Sequence, residues 1–174
     1  NVVSLTGGVN YYLPNTRSSI FNAKLYLTPA PLLMASEDIV KAMEQEPSVK
    51  QIRHMATLAQ MSIVGIGGVD SNATLLTNGT LNHSDVLLLS MQGAVGDMLC
   101  HFIDKDGNVI QSSLERRLMS TPLEQLKEMN NSIGVAGGST KSEAILAALK
   151  GNYLDVLITD ETTATNVLRL KNQE

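Results

Sequence analysis

A chain of 174 residues, 43% hydrophobic and 17% charged, is long enough to fold around its own interior without covalent staples. Its formal net charge of −4 argues against a nucleic-acid surface within these residues, because phosphate contacts call for a concentrated Lys/Arg patch. Cys100 is the single cysteine, which leaves no disulfide framework and no zinc-type cluster with the scattered His54, His83 and His101; no apolar run spans a bilayer and no secretory signal opens the chain, so the expected compartment is the cytoplasm, with no membrane partner.

In chain order, Asn1 to Thr6 reads as a strand running straight into Gly7-Gly8, an abrupt start that leads us to expect polypeptide before Asn1. Asn15 to Leu25 follows as a helix, with Ile20, Phe21 and Leu25 as its apolar set, and Tyr26 to Thr28 as a short strand closed by Pro29-Ala30-Pro31. Ser36 opens a helix to Gln45 with Glu37 and Asp38 in its first turn, and Pro47 opens the next, to Ala59 or Gln60. Met61 to Gly68 is an apolar strand ending in glycines. The stretch from Val69 to His83 is rich in Asn, Thr, Gly and Ser and reads as a long surface loop with a short helical turn; its sequons, like that at Asn130, are loop composition rather than glycan sites.

Ser84 to Ser90 is the next helix. Ala94 to Ile103, followed by Asp104 to Asn108, reads as a β-hairpin returning at Val109 and Ile110. Pro122 opens a helix to Met129, Ser132 to Ala136 is a strand, Thr140 to Lys150 a helix and Leu154 to Thr159 a strand, after which Asp160 caps a last helix to Leu170. Strands alternating with helices make an α/β protein with a mostly parallel sheet, and ligands of such sheets sit beyond the carboxyl ends of the strands. Three polar, Gly-bearing exits meet that description: Thr6 to Gly8, Gly65 to Gly68 and Gly137 to Lys141.

The last of these says most. Gly137-Gly138-Ser139-Thr140-Lys141 joins an apolar strand to a good helix former, and Thr140 with Glu143 fits a capping box, so that N–H groups, hydroxyls and an ammonium converge where an anion would sit. It is not a nucleotide-triphosphate loop, because Thr140 stands where that motif needs Gly. The competing reading is a plain βα turn with a solvated lysine. Asp97 offers a carboxylate to adjacent hydroxyls, or else closes its hairpin as an Asx-turn residue. Cys100 reads as a small core residue, His101 as an outward-facing or satisfied polar residue, and Asp160-Glu161 as a helix cap rather than a carboxylate pair. No catalytic residue, metal or cofactor is expected.

Seven marks in order cover nearly the whole chain: Leu5-Thr6-Gly7-Gly8, Pro29-Ala30-Pro31, Ile63-Val64-Gly65-Ile66-Gly67, Gly93-Ala94-Val95-Gly96-Asp97-Met98-Leu99, Phe102-Ile103-Asp104 with Gly107, Gly134-Val135-Ala136-Gly137-Gly138 with Lys141, Glu143 and Ala144, and Asp155 to Glu161. In these the chain resembles the effector-binding domain of the SorC/DeoR-type bacterial transcriptional regulators, which include regulators of sorbitol, sorbose, deoxyribonucleoside and phosphorylated autoinducer-2 uptake genes. The resemblance implies a Rossmann-like domain of the sugar-phosphate isomerase and CoA-transferase type with helices on both faces of its sheet. It also implies a phosphorylated sugar as effector, self-association as dimer or tetramer, and DNA contact through a helix-turn-helix outside this chain, as are the first βα units of the family's effector domain. By the same resemblance Gly7 and Gly8 line the phosphate region, Asp97 and Lys141 reach the sugar, and Thr74 is a further ligand contact; Gly137 and Gly138 join them as ligand-binding residues from the reading of their own loop. Residues 1–174 are then expected to form a single effector domain that senses without turnover, with Schiff-base formation open to Lys141. The alternatives are a sugar-phosphate isomerase or deaminase using Asp97 or Asp160 as base, and a purely structural oligomerisation domain.

Overall fold

The structure is a computed structural model that describes residues 1–8, 23–70, 74–77 and 79–173, without the side chain of Thr74. The described residues group into two compact units, Asn1–Ala59 with Ser113–Thr121, and Gln60–Ser112 with Pro122–Glu174.

In the first unit β1 (Val2–Val3) pairs in parallel with β2 (Leu25–Tyr26). Two helices follow because two local stop and start signals are in place. Ser36 caps α1 (Glu37–Gln45), its hydroxyl accepting from the Ile39 N–H at 3.4 Å, and Pro47 sets the first turn of α2 (Pro47–Thr57). Ala30, Met34, Val40, Val49 and Met119 form the core of this unit, with Met43 packed against it. Residues 15–22 of the expected first helix lie outside the described residues, and Leu25, its expected last residue, is in β2.

The second unit is a five-stranded mixed sheet in the order β5-β4-β3-β6-β7, built from β3 (Ser62–Gly68), β4 (Ala94–Met98), β5 (His101–Asp104), β6 (Ser132–Val135) and β7 (Val156–Ile158). β3, β6 and β7 run parallel, and β4 and β5 add an antiparallel flank. Its helices are α3 (Thr74–Thr77), α4 (His83–Met91), α5 (Leu123–Glu128), α6 (Ser142–Lys150) and α7 (Glu161–Lys171). The short turn expected in the Asn-rich loop is α3. Asn82 and Asp85 build a reciprocal capping box for α4, Asp85 N–H to Asn82 Oδ1 at 2.9 Å and Asn82 N–H to Asp85 Oδ2 at 3.1 Å, so the sequon there is a helix cap.

Helix α6 lies closest to the sheet. Ala144, Ile145, Ala147 and Ala148 are essentially inaccessible to solvent, and burying Ile145 alone contributes roughly 2 kcal/mol. Gly96 on β4 makes this approach possible: a Cβ there would run into the Ala144 side chain.

The run from Ala94 to Ile103, read above as one hairpin arm, is two strands folded back at Leu99 and Cys100. Both turn residues have positive φ, 51° and 69°, a conformation that two-residue hairpins usually assign to Asn or Gly. The return at Val109 exists as well, as a single bridge to Ile103, with Asp104 Oδ1 accepting from the Asp106 and Asn108 N–H groups. His101 is 5% exposed, so it does not alternate outward; the fold-back puts it opposite Met98, on a face that is fully covered.

Candidate functional site

Strand β3 ends in two adjacent glycines whose absent side chains face opposite sides of the sheet. Gly67 is the register partner of Asp97, and the Asp97 carboxylate lies against the place where a Cβ of Gly67 would be. Gly68 pairs with Gly96, on the side from which α6 approaches, and the Lys141 side-chain stem passes over it. Asp97 and Lys141 thus reach the carboxyl end of the central strand from its two sides.

Asp97 is half-buried. Burial lifts its carboxyl to about 6, opposed by the Cys100 N–H that it accepts at 3.2 Å and by the nearby Lys141 and His101 charges. That hydrogen bond is the Asx-type closure weighed above: Asp97 Oδ2 holds the turn at Cys100, where non-Gly residues sit in the left-handed region. Both roles weighed for Asp97 therefore remain available to the same carboxylate. Cys100 is half-buried at the turn rather than in the core expected of it, and burial together with Asp97 pushes its thiol up to about 12, far from a reactive thiolate.

The Gly137 to Lys141 exit differs locally from the capping box expected of it. Thr140 makes no cap. A one-turn 3-10 helix, Ser139–Lys141, precedes α6, with Lys141 N–H donating to Gly138 O at 3.0 Å and Ser142 Oγ to Ser139 O at 2.8 Å. Gly138 enters this turn at φ 106°, a region that glycine supplies without strain. Its N–H donates to Asp160 Oδ2 at 3.0 Å and to Thr163 Oγ1 at 2.8 Å, while the Thr163 hydroxyl donates to Asp160 Oδ2 at 2.6 Å. The Thr163 hydroxyl, then the N–H groups of Thr163 and Gly138, hold the Asp160 carboxyl at about 2. Asp160 is therefore a helix cap, as expected, and also the anchor of the glycine loop, a role its place in the sequence did not reveal. Gly137 stands against the same carboxylate, with Asp160 Oδ2 at 2.8 Å from where its Cβ would be.

With Gly138 occupied, the donors that remain at this helix start are the N–H groups of Ser139 and Thr140, which make no hydrogen bond among the described residues. Both residues are exposed, and Lys141 beside them is half-buried. Backbone N–H groups, hydroxyls and an ammonium together can hold a dianion; the carboxylate of Asp97 can accept hydroxyls.

The other expected contacts stand apart. Gly7 and Gly8 belong to the first unit, are buried, and donate their N–H groups to Met119 O at 2.7 Å and Ala30 O at 2.8 Å. Thr74 begins α3, and its side chain lies outside the described residues. Sequence reasoning missed Gly67 as the seat of Asp97 and the Asp160–Thr163 pair behind Gly138. The Gly67-Gly68 doublet at a strand end was the available signal, because glycine in a strand marks close approach by another group. A depression lined by Gln60, Lys127, Asn131 and Asp155 opens at the amino ends of the parallel strands, the wrong end for this chemistry. Among the described residues there is no group of His, Cys, Asp and Glu suited to a metal and no helix long and apolar enough to cross a membrane.

Comparison with known proteins shows the family. A family model described as "Putative sugar-binding domain" matches residues 1–169. The transcriptional regulator LsrR of Klebsiella pneumoniae is 36% identical over 172 residues, 97% of this chain and 53% of the relative, so the chain spans about half that protein's length. A DeoR family transcriptional regulator from Listeria monocytogenes has the same fold at TM-score 0.85 and 22% identity, over 95% of this chain and 68% of the other. The full-length sorbitol operon regulator SorC from Klebsiella pneumoniae superposes at TM-score 0.82 and 24% identity, over 96% of this chain and 57% of the regulator. The chain belongs to the sugar-binding domain family, with transcriptional regulators as its relatives.

Proposed function

We propose that residues 1–174 are one effector-sensing domain of a cytoplasmic bacterial transcriptional regulator, and that the effector is a phosphorylated sugar. The observation that carries the reading is the approach of Asp97 and Lys141 to the end of β3 from its two sides, close enough for the Lys141 charge to act on the Asp97 carboxyl, with the exposed N–H groups of Ser139 and Thr140 beside Lys141. The phosphate takes those N–H groups and the Lys141 ammonium; the sugar hydroxyls take Asp97. Gly137 and Gly138 shape the loop, with Asp160 fixing it from behind. The assignments of Gly7, Gly8 and Thr74 as ligand contacts are kept apart from this group, and for Gly7 and Gly8 the contact would be close approach rather than N–H donation.

The domain works by binding. An isomerase or deaminase would need a base beside the sugar C2; of the two carboxylates offered for it, Asp160 holds Gly138 and Thr163, and Asp97 is assigned to the sugar hydroxyls. For the intact parent we propose self-association and an operator contact that changes with effector, which requires that the effector bind two arrangements with different affinity. Calorimetry with phosphosugars and with inorganic phosphate tests the binding claim. Asp97→Ala is expected to weaken phosphosugar binding and leave inorganic phosphate unchanged, and equal losses would remove Asp97 from the sugar. Product formation from a phosphosugar, followed by NMR, would overturn the sensor in favour of the enzyme.

A further inference from the structure

Thr163 is fully buried, and its hydroxyl has both of its functions engaged. It stands three residues after the cap of α7, the spacing at which an N-cap carboxylate accepts from the first turn, and the Thr163 N–H donates to Asp160 Oδ1 at 2.8 Å. The same spacing lays the Thr163 hydroxyl against the other carboxylate oxygen, Asp160 Oδ2, at 2.6 Å. An ionised carboxylate can only accept, so the hydroxyl proton goes to Asp160. A lone pair is left for the Gly138 N–H, 2.8 Å away.

This contact fixes the direction of the next two peptide groups. The Gly138 N–H is held by Thr163 and Asp160, and the Gly138 carbonyl accepts the Lys141 N–H at 3.0 Å. In a planar trans peptide the N–H points away from the carbonyl before it, so the Ser139 N–H is turned out of the loop. The Ser139 carbonyl accepts from the Ser142 N–H and hydroxyl, which turns the Thr140 N–H outward in the same way. We propose that Thr163 is a positioning residue of the anion site: from behind the loop it sets the direction of the Ser139 and Thr140 N–H groups and the start of Lys141, and so determines how tightly the effector's phosphate is held. The inference rests on the phosphosugar reading above. Thr163 acts through Gly138 on the donors assigned to the phosphate and not on Asp97. Its loss therefore weakens inorganic phosphate and phosphosugar by the same factor, unlike the loss of Asp97.

Two substitutions test it on the 174-residue chain. Thr163→Val keeps the branched shape but has no lone pair, which leaves the Gly138 N–H only the longer of its two bonds, to Asp160 at 3.0 Å; Thr163→Ser keeps the hydroxyl. Ribose phosphate, fructose phosphate, sorbitol phosphate and inorganic phosphate are titrated calorimetrically into the wild-type chain and both variants, with thermal midpoints confirming the fold. The expected result is a loss of roughly tenfold in Thr163→Val for phosphosugar and inorganic phosphate alike, with Thr163→Ser within about threefold of the wild type. Should Thr163→Val not fold, Thr163→Ala, which also lacks the hydroxyl, takes its place with the same expectation. A folded variant without the hydroxyl that binds both ligands like the wild type overturns the assignment, and so do equal losses in that variant and in Thr163→Ser; either result leaves the functional reading standing. A wild-type chain that binds none of the phosphosugars overturns both.

Discussion

Asp97 is the residue at which fold and function compete. Its folded carboxyl titrates near 6 against an ordinary value of 3.8, so the native state holds that proton more tightly than the unfolded chain does. Stability therefore falls as pH rises from about 4 to about 6 and is level above that. Asp97→Asn, which keeps an oxygen for the Cys100 N–H, is expected to stabilise the chain above pH 7 by on the order of 2 kcal/mol, with the gain vanishing near pH 4. Urea melts at the two pH values measure it; a gain of the same size at both would mean that burial of the charge is not its source. Asp160 has the opposite sign: its carboxyl is held at about 2, so its contribution is complete above its unfolded value and disappears as pH falls toward 2. Asp160→Ala should accelerate hydrogen exchange at the Gly138 amide and leave the Ile145 amide in α6 protected. Unchanged exchange at Gly138 would contradict the anchoring role.

At the scale of elements, the close seat of α6 on β4 depends on Gly96. Gly96→Ala forces the new methyl into Ala144 and is expected to cost roughly 1–3 kcal/mol, read as a lowered urea midpoint with unchanged m. A midpoint within error of the wild type would show that the helix yields without cost. Elements whose signals are local were legible in the sequence. Ser36, Pro47 and Asp160 each announce a helix start by their own chemistry, and each helix begins there. The start at Ser139 was not legible, because the choice between a capping box and a 3-10 turn is made by Asp160 and Thr163, more than twenty residues away. The fold-back at Leu99-Cys100 was hidden for a related reason: its residues carry no turn signal, and the turn is held by the side chain of Asp97. Asp97 and Lys141 were readable as site candidates from residue type and from the resemblance. Gly67 as the seat of Asp97 was not, because what matters about it is which side of β3 its missing side chain would occupy.

Across the molecule, one face of the parallel half of the sheet in the second unit is apolar and open to solvent. Ile63 at 67%, Val135 at 44%, Val156 at 46% and Ile158 at 55% exposure lie in two register rows, Ile63 with Ile133 and Val156, and Gly65 with Val135 and Ile158. Parallel strands are normally covered on both faces. The chain should therefore enhance the fluorescence of a hydrophobic dye while natively folded, and Ile63→Lys with Ile158→Lys should abolish most of the signal without lowering the thermal midpoint. A dye signal unaffected by the double substitution would place the dye elsewhere. The central claim is narrower, that a phosphosugar binds at the end of β3 that Lys141 and Asp97 both approach. Its most direct test is calorimetric titration of a phosphosugar into the wild-type chain and into Lys141→Ala, whose half-buried lysine makes little contribution to the core. The account predicts micromolar-scale binding weakened by roughly a hundredfold or more in the variant, with an unchanged thermal midpoint in the absence of ligand; equal affinity in the two chains would contradict it.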